Sequence, residues 1–327
     1  MNIDEKKITG MDGIPILAVV VPCFNESQVL PDTIRILGDL LTDLGHKGKI
    51  SAKSFLYFVD DGSKDNTWQI LSKAHDTNPQ HIKALKLVAN AGHQNALLAG
   101  LLAVRDQADC TVSLDADLQD DVDIIERMID SHAAGNEIVF GVRRERGTDG
   151  FFKRTSALAF YRVMALMGAD IVHNHSDFRL LGKRSLHTLS RFEESAVFLR
   201  GIIPLMGYGS DIIPYERKKR LKGETKYSPR KMISLAWNAV CSFSVAPLRL
   251  ISLIGTLIFL FSFIMSLWVL FTRFFGNTVH GWASTLLPIY FLGGIQLLAI
   301  GILGEYLGKI YLEVKKRPRF IEDKKLE

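Results

Sequence analysis

Two carboxylates and an amide stand two residues apart where an apolar run ends. Asp115, Asp117 and Gln119 follow the run that begins at Thr111. On extended backbone, side chains spaced by two residues point to the same side. Their hard oxygen donors suit Mg²⁺ or Mn²⁺, and Mg²⁺ is commonly held by one or two carboxylates together with substrate phosphates. The spacing therefore predicts a divalent-cation site for a phosphorylated substrate, although a solvated acidic turn that opens a helix fits the same short pattern.

Two further polar motifs follow earlier apolar runs. The first is Pro22-Cys23-Phe24-Asn25-Glu26, and the second is Asp60-Asp61-Gly62-Ser63. Adjacent carboxylates at Asp60 and Asp61 supply acceptors for a nucleobase or a ribose, and Gly62 allows a sharp backbone turn beside a ligand. Each motif also has a purely structural interpretation, as a turn and helix cap or as a first-turn carboxylate. From these residues alone, both interpretations stay open.

The elements that must position these motifs alternate between short β-rich runs and helical patterns. This alternation is typical of a mostly parallel sheet covered by helices, and such sheets bind ligands outside the carboxyl ends of their strands. Every motif lies at the end of a predicted strand. The predicted strands cover residues 16–21, 55–59, 85–88, 111–114 and 138–142, and the predicted helices cover 26–44, 67–74 and 93–104.

The C-terminal part of the chain has a membrane-like composition. No charged side chain occurs from Leu250 to Thr272, and a second apolar stretch covers roughly 284–307. At about 1.5 Å per residue, each run is long enough to cross a hydrocarbon core of about 30 Å. Basic residues flank both outer ends of this predicted hairpin, so the positive-inside rule places both chain ends in the cytoplasm. With no signal peptide recognised, we expect an inner (plasma) membrane protein of bacteria with a cytosolic catalytic domain.

These patterns predict five segments: an N-terminal tail at 1–13, a cytosolic domain at 14–230, a juxtamembrane amphipathic helix at 231–247, a transmembrane hairpin at 248–312, and a basic tail at 313–327. The composition is 47% hydrophobic with a formal net charge of +5, and the basic residues between Arg217 and Lys226 are suited to lipid head groups or substrate phosphates. No aromatic platform accompanies them, so nucleic-acid binding is not expected. Three scattered cysteines predict reduced thiols, and self-association is left open.

The three motifs, in this order, resemble the inverting family 2 glycosyltransferases with a GT-A fold. Later motifs are similar to the polyprenyl-phosphate branch of that family, which includes dolichyl-phosphate mannose synthase and the bactoprenol glucosyltransferases. These later motifs are Asn90-Ala91-Gly92-His93-Gln94, Ser176-Asp177-Phe178-Arg179-Leu180-Leu181, Arg200-Gly201 and Lys222-Gly223-Glu224-Thr225-Lys226-Tyr227. The resemblance covers about residues 15 to 315.

The resemblance implies a Rossmann-like GT-A domain and a role for each motif. Asp115, Asp117 and Gln119 would hold Mg²⁺ or Mn²⁺, with Asp115, Asp117 and Asp177 as the catalytic set. A nucleotide sugar, with UDP-glucose expected first, would contact Pro22, Glu26, Asp60, Asp61, Arg220 and Lys226. A polyprenyl phosphate, expected to be undecaprenyl phosphate, would contact Arg143, Arg154 and Ser156. Some relatives place a serine where this chain has Leu158, which leaves the acceptor contacts open.

Several other functions fit the sequence less well. A processive polysaccharide synthase normally carries Gln-x-x-Arg-Trp, and no tryptophan of this chain follows an arginine. An Asp-x-Asp phosphatase would leave the nucleotide motifs unexplained, and a Rossmann oxidoreductase would need Gly-x-Gly-x-x-Gly after the first strand. Transfer from another UDP-sugar or from GDP-mannose stays open. A catalytically silent membrane scaffold is less compatible with the complete set of acidic and basic residues.

Overall fold

A computed structural model describes residues 13–143, 175–194, 197–216, 253–258, 260–261, 264 and 282–327. The chain divides into two compact units. The first comprises Met1–Arg162, Asp170–Lys226 and Pro318–Glu327, and the second comprises Val163–Ala169 and Tyr227–Arg317. All of the motifs that the structure describes lie in the first unit.

The first unit is built on an eight-stranded sheet with the order β7-β5-β6-β4-β1-β2-β3-β8. Its strands are β1 (Leu17–Cys23), β2 (Phe55–Asp60), β3 (Ile82–Leu87), β4 (Cys110–Ser113), β5 (Ile138–Arg143), β6 (His175–Gly182), β7 (Ser210–Tyr215) and β8 (Glu322–Leu326). β6 and β8 run antiparallel to their neighbours, and the other strands run parallel to one another. This is the predicted Rossmann-like GT-A α/β domain with a mostly parallel sheet.

The order reverses at β1, because β2 and β3 extend the sheet on one side of it and β4 lies on the other. Open α/β sheets place ligands at such a switch point, outside the carboxyl ends of the strands. β1 and β2 are buried along their whole length, as expected for central parallel strands covered on both faces. We call the edge at which the parallel strands end the carboxyl edge.

The helices of this unit are α1 (Leu30–His46), α2 (Thr67–Thr77), α3 (His93–Val104), α4 (Ile125–Ala133), α5 (Lys183–Leu189) and α6 (Leu199–Leu205). α1 turns one apolar face to the core through Leu30, Leu37 and Leu44. α3 is apolar almost all round because it packs directly against β1 and β2. A Cβ at Gly100 would lie 2.5 Å from Cγ1 of Val20, so glycine is required for this close approach.

The C-terminal residues form a strand that the sequence did not predict. The segment interpreted as the end of a basic tail instead forms β8, which pairs antiparallel with β3. The amide of Val88 also donates to the carbonyl of Ile321 at 2.9 Å. β7 and β8 are therefore the two outermost strands of the sheet.

The second unit contains one long described helix, α7 (Trp282–Val314), of 33 residues. Within the described residues, no helix is both long and apolar enough to cross a membrane. Most of the first predicted span and all of the predicted juxtamembrane helix lie outside those residues. The transmembrane hairpin therefore stays a prediction. Cys23 and Cys110 are free and buried, whereas Cys241 lies outside the described residues.

Candidate functional site

The loops that follow β1 and β2 are joined by hydrogen bonds at the carboxyl edge. The amide of Asn25 donates to the Ser63 hydroxyl at 2.9 Å, and the amide of Lys64 donates back to the Asn25 side chain at 2.9 Å. The amide of Glu26 donates to the hydroxyl of Thr67 at 3.0 Å. Asn25 has a left-handed φ of 56°. These contacts fix the backbone around Pro22 and Glu26.

Asp60 and Asp61 are both buried but have different partners. The Asp61 carboxylate accepts from the amides of Ala91 at 2.6 Å and Gly92 at 3.0 Å, so it ties the β2 loop to the start of α3. Burial raises the pKa of Asp61, and the two amides act against that rise. Oδ1 of Asp60 accepts from the amide of Ser63 at 2.9 Å, whereas Oδ2 is buried with no hydrogen-bond partner among the described residues. Asp60 therefore offers an acceptor that lacks a donor.

Gly62 allows this loop to pass close to the next one. Its φ is +66°, and a Cβ there would lie 2.7 Å from the carbonyl carbon of Ala89 and from the amide nitrogen of Asn90. The predicted turn is therefore real, and its physical reason is contact between two backbones rather than the turn alone.

The segment from Asp115 to Gln119 leaves the end of β4 in a tight turn. The Thr33 hydroxyl of α1 donates to the Ala116 carbonyl at 2.7 Å, which fixes the turn from behind. The Gln119 side-chain amide donates to Oδ2 of Asp117 at 2.9 Å, and Leu118 has a left-handed φ of 45°. The Asp115 side chain keeps 41% exposure, although desolvation at its carboxyl raises its pKa. Leu118 is therefore a non-glycine residue in the left-handed region, and it lies between the candidate metal ligands Asp117 and Gln119.

Asp177 is the centre of the most densely paired cluster of the site. Extending the β4–β6 register from Ser113 and Arg179 by two residues places Asp177 opposite Asp115. The side chain of Asp177 is 7% exposed and accepts from the guanidinium groups of Arg179, which is fully buried, and Arg200, which is 43% exposed. His93 and Gln94 lie 3.2 Å from Oδ2 of the same carboxylate.

This cluster sets the ionisation of its members. Burial opposes the charge of Asp177, but the hydrogen bond from His93 and the charges of Arg179 and Arg200 hold its pKa well below the usual range. Partial desolvation lowers the pKa of His93, which keeps 44% of its side chain exposed, but Asp177 and Asp115 raise that pKa above its usual value. Nε2 of His93 lies 3.6 Å from Oδ1 of Asp115, so His93 connects the two carboxylates. Asp177 is thus held as an anion, and its two hydrogen bonds from Arg200 make it an anchor for that guanidinium.

Arg143 has a similar anchor on the other side of β6. It is the last residue of β5, and its Nη2 donates to Oδ1 of Asp120 at 3.1 Å. Its Nε donates to the Tyr215 hydroxyl at 3.1 Å, and that hydroxyl donates to the same oxygen of Asp120. Burial lowers the pKa of Arg143, but Asp120 and Tyr215 raise it above its usual value.

Across the carboxyl edge, these groups follow the order of the strands. Arg143 ends β5, Asp177 lies near the start of β6, Asp115 follows β4, and Asp60 ends β2. Desolvation lowers the pKa of Arg200, but Asp177 and, to a smaller extent, Asp115 raise it above its usual value, and Arg143 acts in the opposite direction. A cavity of about 360 Å³ beside α1, at the opposite edge of the sheet, contains none of them.

The donor set at Asp115 and Asp117 suits a divalent cation that a substrate diphosphate completes. The described residues contain no group of three or more His, Cys, Asp and Glu side chains arranged to hold a metal ion. Two carboxylates with substrate phosphates are nevertheless a common Mg²⁺ environment. Gln119 reaches Asp117 through its amide nitrogen, so its direct ligation of the metal stays a prediction.

The structure brings the described candidates to one edge and adds residues that the sequence analysis did not assign. Asp120 and Tyr215 were assigned to no motif, whereas His93, Gln94, Arg179 and Arg200 lie within recognised motifs. The predicted contacts Arg154, Ser156, Arg220 and Lys226 lie outside the described residues.

Comparison with known proteins identifies the family. The family model described as "Glycosyl transferase family 2" matches residues 18–190. The chain is 47% identical over 309 residues to the uncharacterized glycosyltransferase YkoT of Bacillus subtilis, covering 94% of this chain and 91% of that protein. It is 36% identical over 312 residues to the prophage bactoprenol glucosyl transferase homolog of Escherichia coli K12, covering 93% and 97% of the two chains.

A further relative is the bactoprenol glucosyl transferase of Shigella phage SfX, which is 35% identical over 307 residues, covering 93% of this chain and 98% of that protein. Among solved structures, glucosyl-3-phosphoglycerate synthase from Mycobacterium tuberculosis aligns with a TM-score of 0.47 at 16% identity, over 70% of this chain and 79% of that one. The family model and the extent of the sequence matches show that the chain belongs to glycosyl transferase family 2, as the motifs predicted.

Proposed function

We propose that this protein transfers glucose from UDP-glucose to undecaprenyl phosphate, with inversion at the anomeric carbon. The observation that carries the proposal is the order of groups along the carboxyl edge. The nucleotide motifs lie over β1 and β2, the carboxylate pair follows β4, and the arginines Arg200 and Arg143 lie on α6 and β5. The donor diphosphate would then bind on the β1 side of Asp115 and the acceptor phosphate on the β5 side.

The donor half of the site presents acceptors for a nucleoside. Oδ2 of Asp60 is a buried acceptor with no partner among the described residues, and a ribose hydroxyl or a uracil N–H would satisfy it. The loops at Pro22 and Glu26 border the same position. Arg220 and Lys226 are proposed to contact the diphosphate, the arginine through its planar fork and the lysine as a point charge.

The metal set is proposed to be Asp115, Asp117 and Gln119, with Mg²⁺ or Mn²⁺. When bound, the cation would neutralise the charge that develops on the leaving diphosphate. Arg200 adds positive charge at this position. Its Nε and Nη2 donate to Asp177, and among the described contacts the other N–H groups of the guanidinium stay available for a phosphate. A leaving group stabilised in this way needs no covalent nucleophile from the protein.

The acceptor supplies its own nucleophile. A phosphate monoester with a second pKa of about 6 is largely dianionic at neutral pH. One of its oxygens forms the new bond to the anomeric carbon as the bond from that carbon to the diphosphate breaks, and UDP leaves with the electron pair. No proton has to be removed from the acceptor in this step. Arg143, Arg154 and Ser156 are proposed to bind this phosphate.

The acceptor class is proposed from the relatives named bactoprenol glucosyl transferase, which align along nearly the whole chain. The membrane location is proposed from the sequence, with the catalytic domain and both termini in the bacterial cytoplasm and a two-helix hairpin in the inner membrane. A cysteine placed at Asn277 should react with an impermeant reagent from outside the cell, and one placed at Lys324 should not.

The test is transfer by the purified full chain in detergent. Radiolabelled UDP-glucose, other UDP-sugars and GDP-mannose are each incubated with undecaprenyl phosphate and Mn²⁺. We expect a lipid-phosphate-linked sugar from UDP-glucose, with the anomeric configuration inverted in the NMR spectrum of the isolated product. Asp117→Asn and EDTA should each abolish it, and Mg²⁺ or Mn²⁺ should restore only the EDTA-treated enzyme. A retained anomer, or full activity without metal, would contradict the mechanism.

A further inference from the structure

The guanidinium of Arg143 is held by two side chains from different elements. Asp120 comes from the turn after β4 and is 3% exposed, and Tyr215 comes from the end of β7 and is equally buried. The three groups form a closed triangle of hydrogen bonds, in which Arg143 donates to both partners and Tyr215 donates to Asp120. Arg143 itself keeps 31% of its side chain exposed.

This arrangement leaves the outward part of the fork available. Arginine has five N–H donors, and the described contacts of Arg143 use the Nε donor and one donor on Nη2. The remaining donors are on the two terminal nitrogens. The planar guanidinium binds phosphate in a fixed geometry, so its affinity for phosphate depends on how firmly its orientation is held.

A neighbouring aromatic ring also holds this triangle of hydrogen bonds in place. The Tyr215 ring packs edge-on against Phe178, with ring centroids 5.5 Å apart and an interplanar angle of 83°. Phe178 is the residue after Asp177, and Asp120 is the residue after Gln119. The support of Arg143 is therefore continuous with the turn that carries the candidate metal ligands and with the strand that carries Asp177.

We propose that Asp120 and Tyr215 are positioning residues that orient Arg143 toward the phosphate of the lipid acceptor. They act through Arg143 and touch neither substrate. This inference rests on the proposed function, because it requires that Arg143 binds the acceptor. It adds that the sites for the acceptor and for the donor diphosphate are built on one rigid turn, Asp115 to Asp120.

The test separates the two substrates kinetically. Tyr215→Phe keeps the ring contact with Phe178 and removes only the hydroxyl, and Asp120→Asn keeps the shape and removes the charge. Each should raise the KM for undecaprenyl phosphate in detergent micelles about tenfold, the effect of losing one charge-assisted hydrogen bond. The KM for UDP-glucose should stay within about twofold of wild type, a change below the usual worth of one hydrogen bond.

Matched controls lie in the same domain. Tyr208→Phe removes a hydroxyl that lies 2.8 Å from the Thr188 hydroxyl, and Asp123→Asn removes an exposed carboxylate three residues after Asp120. Both should leave the two KM values unchanged. Thermal unfolding of every variant distinguishes lost positioning from lost folding, because a partly unfolded enzyme loses kcat without a selective change in acceptor KM.

A double-mutant cycle decides whether the tyrosine acts through the arginine. In an Arg143→Ala background, Tyr215→Phe should change the acceptor KM by less than about twofold, since the group that it orients is gone. A tenfold effect in both backgrounds, or an equal rise in the KM for UDP-glucose, would overturn the inference. If Arg143→Ala alone leaves the acceptor KM unchanged, the acceptor site in the proposed function fails. If Arg143→Ala raises it and the two positioning variants do not, only this inference fails.

Discussion

Replacing Asp177 by asparagine should destabilise the fold as well as lower activity. The side chain of Asp177 is 7% exposed and is the charged partner of Arg179, which is fully buried. In Asp177→Asn the guanidinium of Arg179 keeps its charge but loses the opposite charge beside it. Removing one partner of a buried ion pair costs about 3–5 kcal/mol, most of it from the charge left unpaired.

That free energy converts to a measurable shift in melting temperature. For a domain of this size, 1 kcal/mol corresponds to about 2–4 °C, so the variant should melt about 6–20 °C below wild type. The assay is thermal unfolding of the detergent-solubilised full chain, followed by tryptophan fluorescence. The matched control is Asp106→Asn. The Asp106 side chain is 64% exposed and pairs with Arg105 at 3.1 Å. Such surface pairs are worth about 0–1 kcal/mol, so the control should melt within about 4 °C of wild type.

A melting temperature for Asp177→Asn equal to that of the control would refute this reasoning, because Arg179 would then have some other source of charge compensation. If the large shift is found, the activity lost by this variant is not evidence for proton transfer by Asp177. In an Arg200→Ala variant, activity should change more than stability, since the Arg200 side chain is 43% exposed. We expect it to lose transfer activity with a much smaller change in melting temperature.

Three further outcomes follow from contacts described above. Gly62→Ala should lower the melting temperature far more than Gly48→Ala in the same assay: both glycines have a left-handed φ, but only at Gly62 would the new Cβ meet backbone atoms, at 2.7 Å. The pKa of Asp177 is depressed in the folded state, so the stability that its charge contributes is present above the unfolded pKa of about 3.9 and is lost as pH falls through the lower folded pKa. Below about pH 4, the free energy of unfolding should therefore fall less steeply with pH in Asp177→Asn than in wild type. Deleting β8 should speed hydrogen exchange at the amides of β3 while those of β1 stay protected, and unchanged exchange at β3 would show that β8 does not cover that edge.

The sequence predicted the central elements well because their signals are local. α3 has the predicted bounds, His93–Val104, since a glycine precedes it and its apolar run is continuous. β3 begins three residues earlier than predicted, because Lys83 interrupts the apolar pattern and packs over the Phe55 ring at 4.4 Å. The spacing of Asp115, Asp117 and Gln119 is likewise a local signal, but the metal that it predicts stays a prediction.

What could not be predicted depends on pairings far apart in the chain. β8 has the sequence Glu322-Asp323-Lys324-Lys325-Leu326, which carries no apolar alternation, and it becomes a strand because β3 offers an open edge of backbone groups. The partners of Asp177 include Gln94, which is 83 positions away. Asp120 directly follows the Asp115–Gln119 motif, but the sequence does not show its partners, because Arg143 and Tyr215 come from β5 and β7.

The position of β8 has a consequence for the protein while it is being made. β3 and its outermost partner are separated by more than two hundred residues, so the ribosome completes the central sheet long before the strand that covers β3 exists. During that interval β3 presents a row of unpaired N–H and C=O groups, the kind of edge on which chains aggregate. Lys83 and Lys86 stand on this strand and make it a poor template for a second chain. Synthesis that stops before Glu322 would leave that edge exposed permanently, so incomplete chains should bind chaperones more than finished chains do.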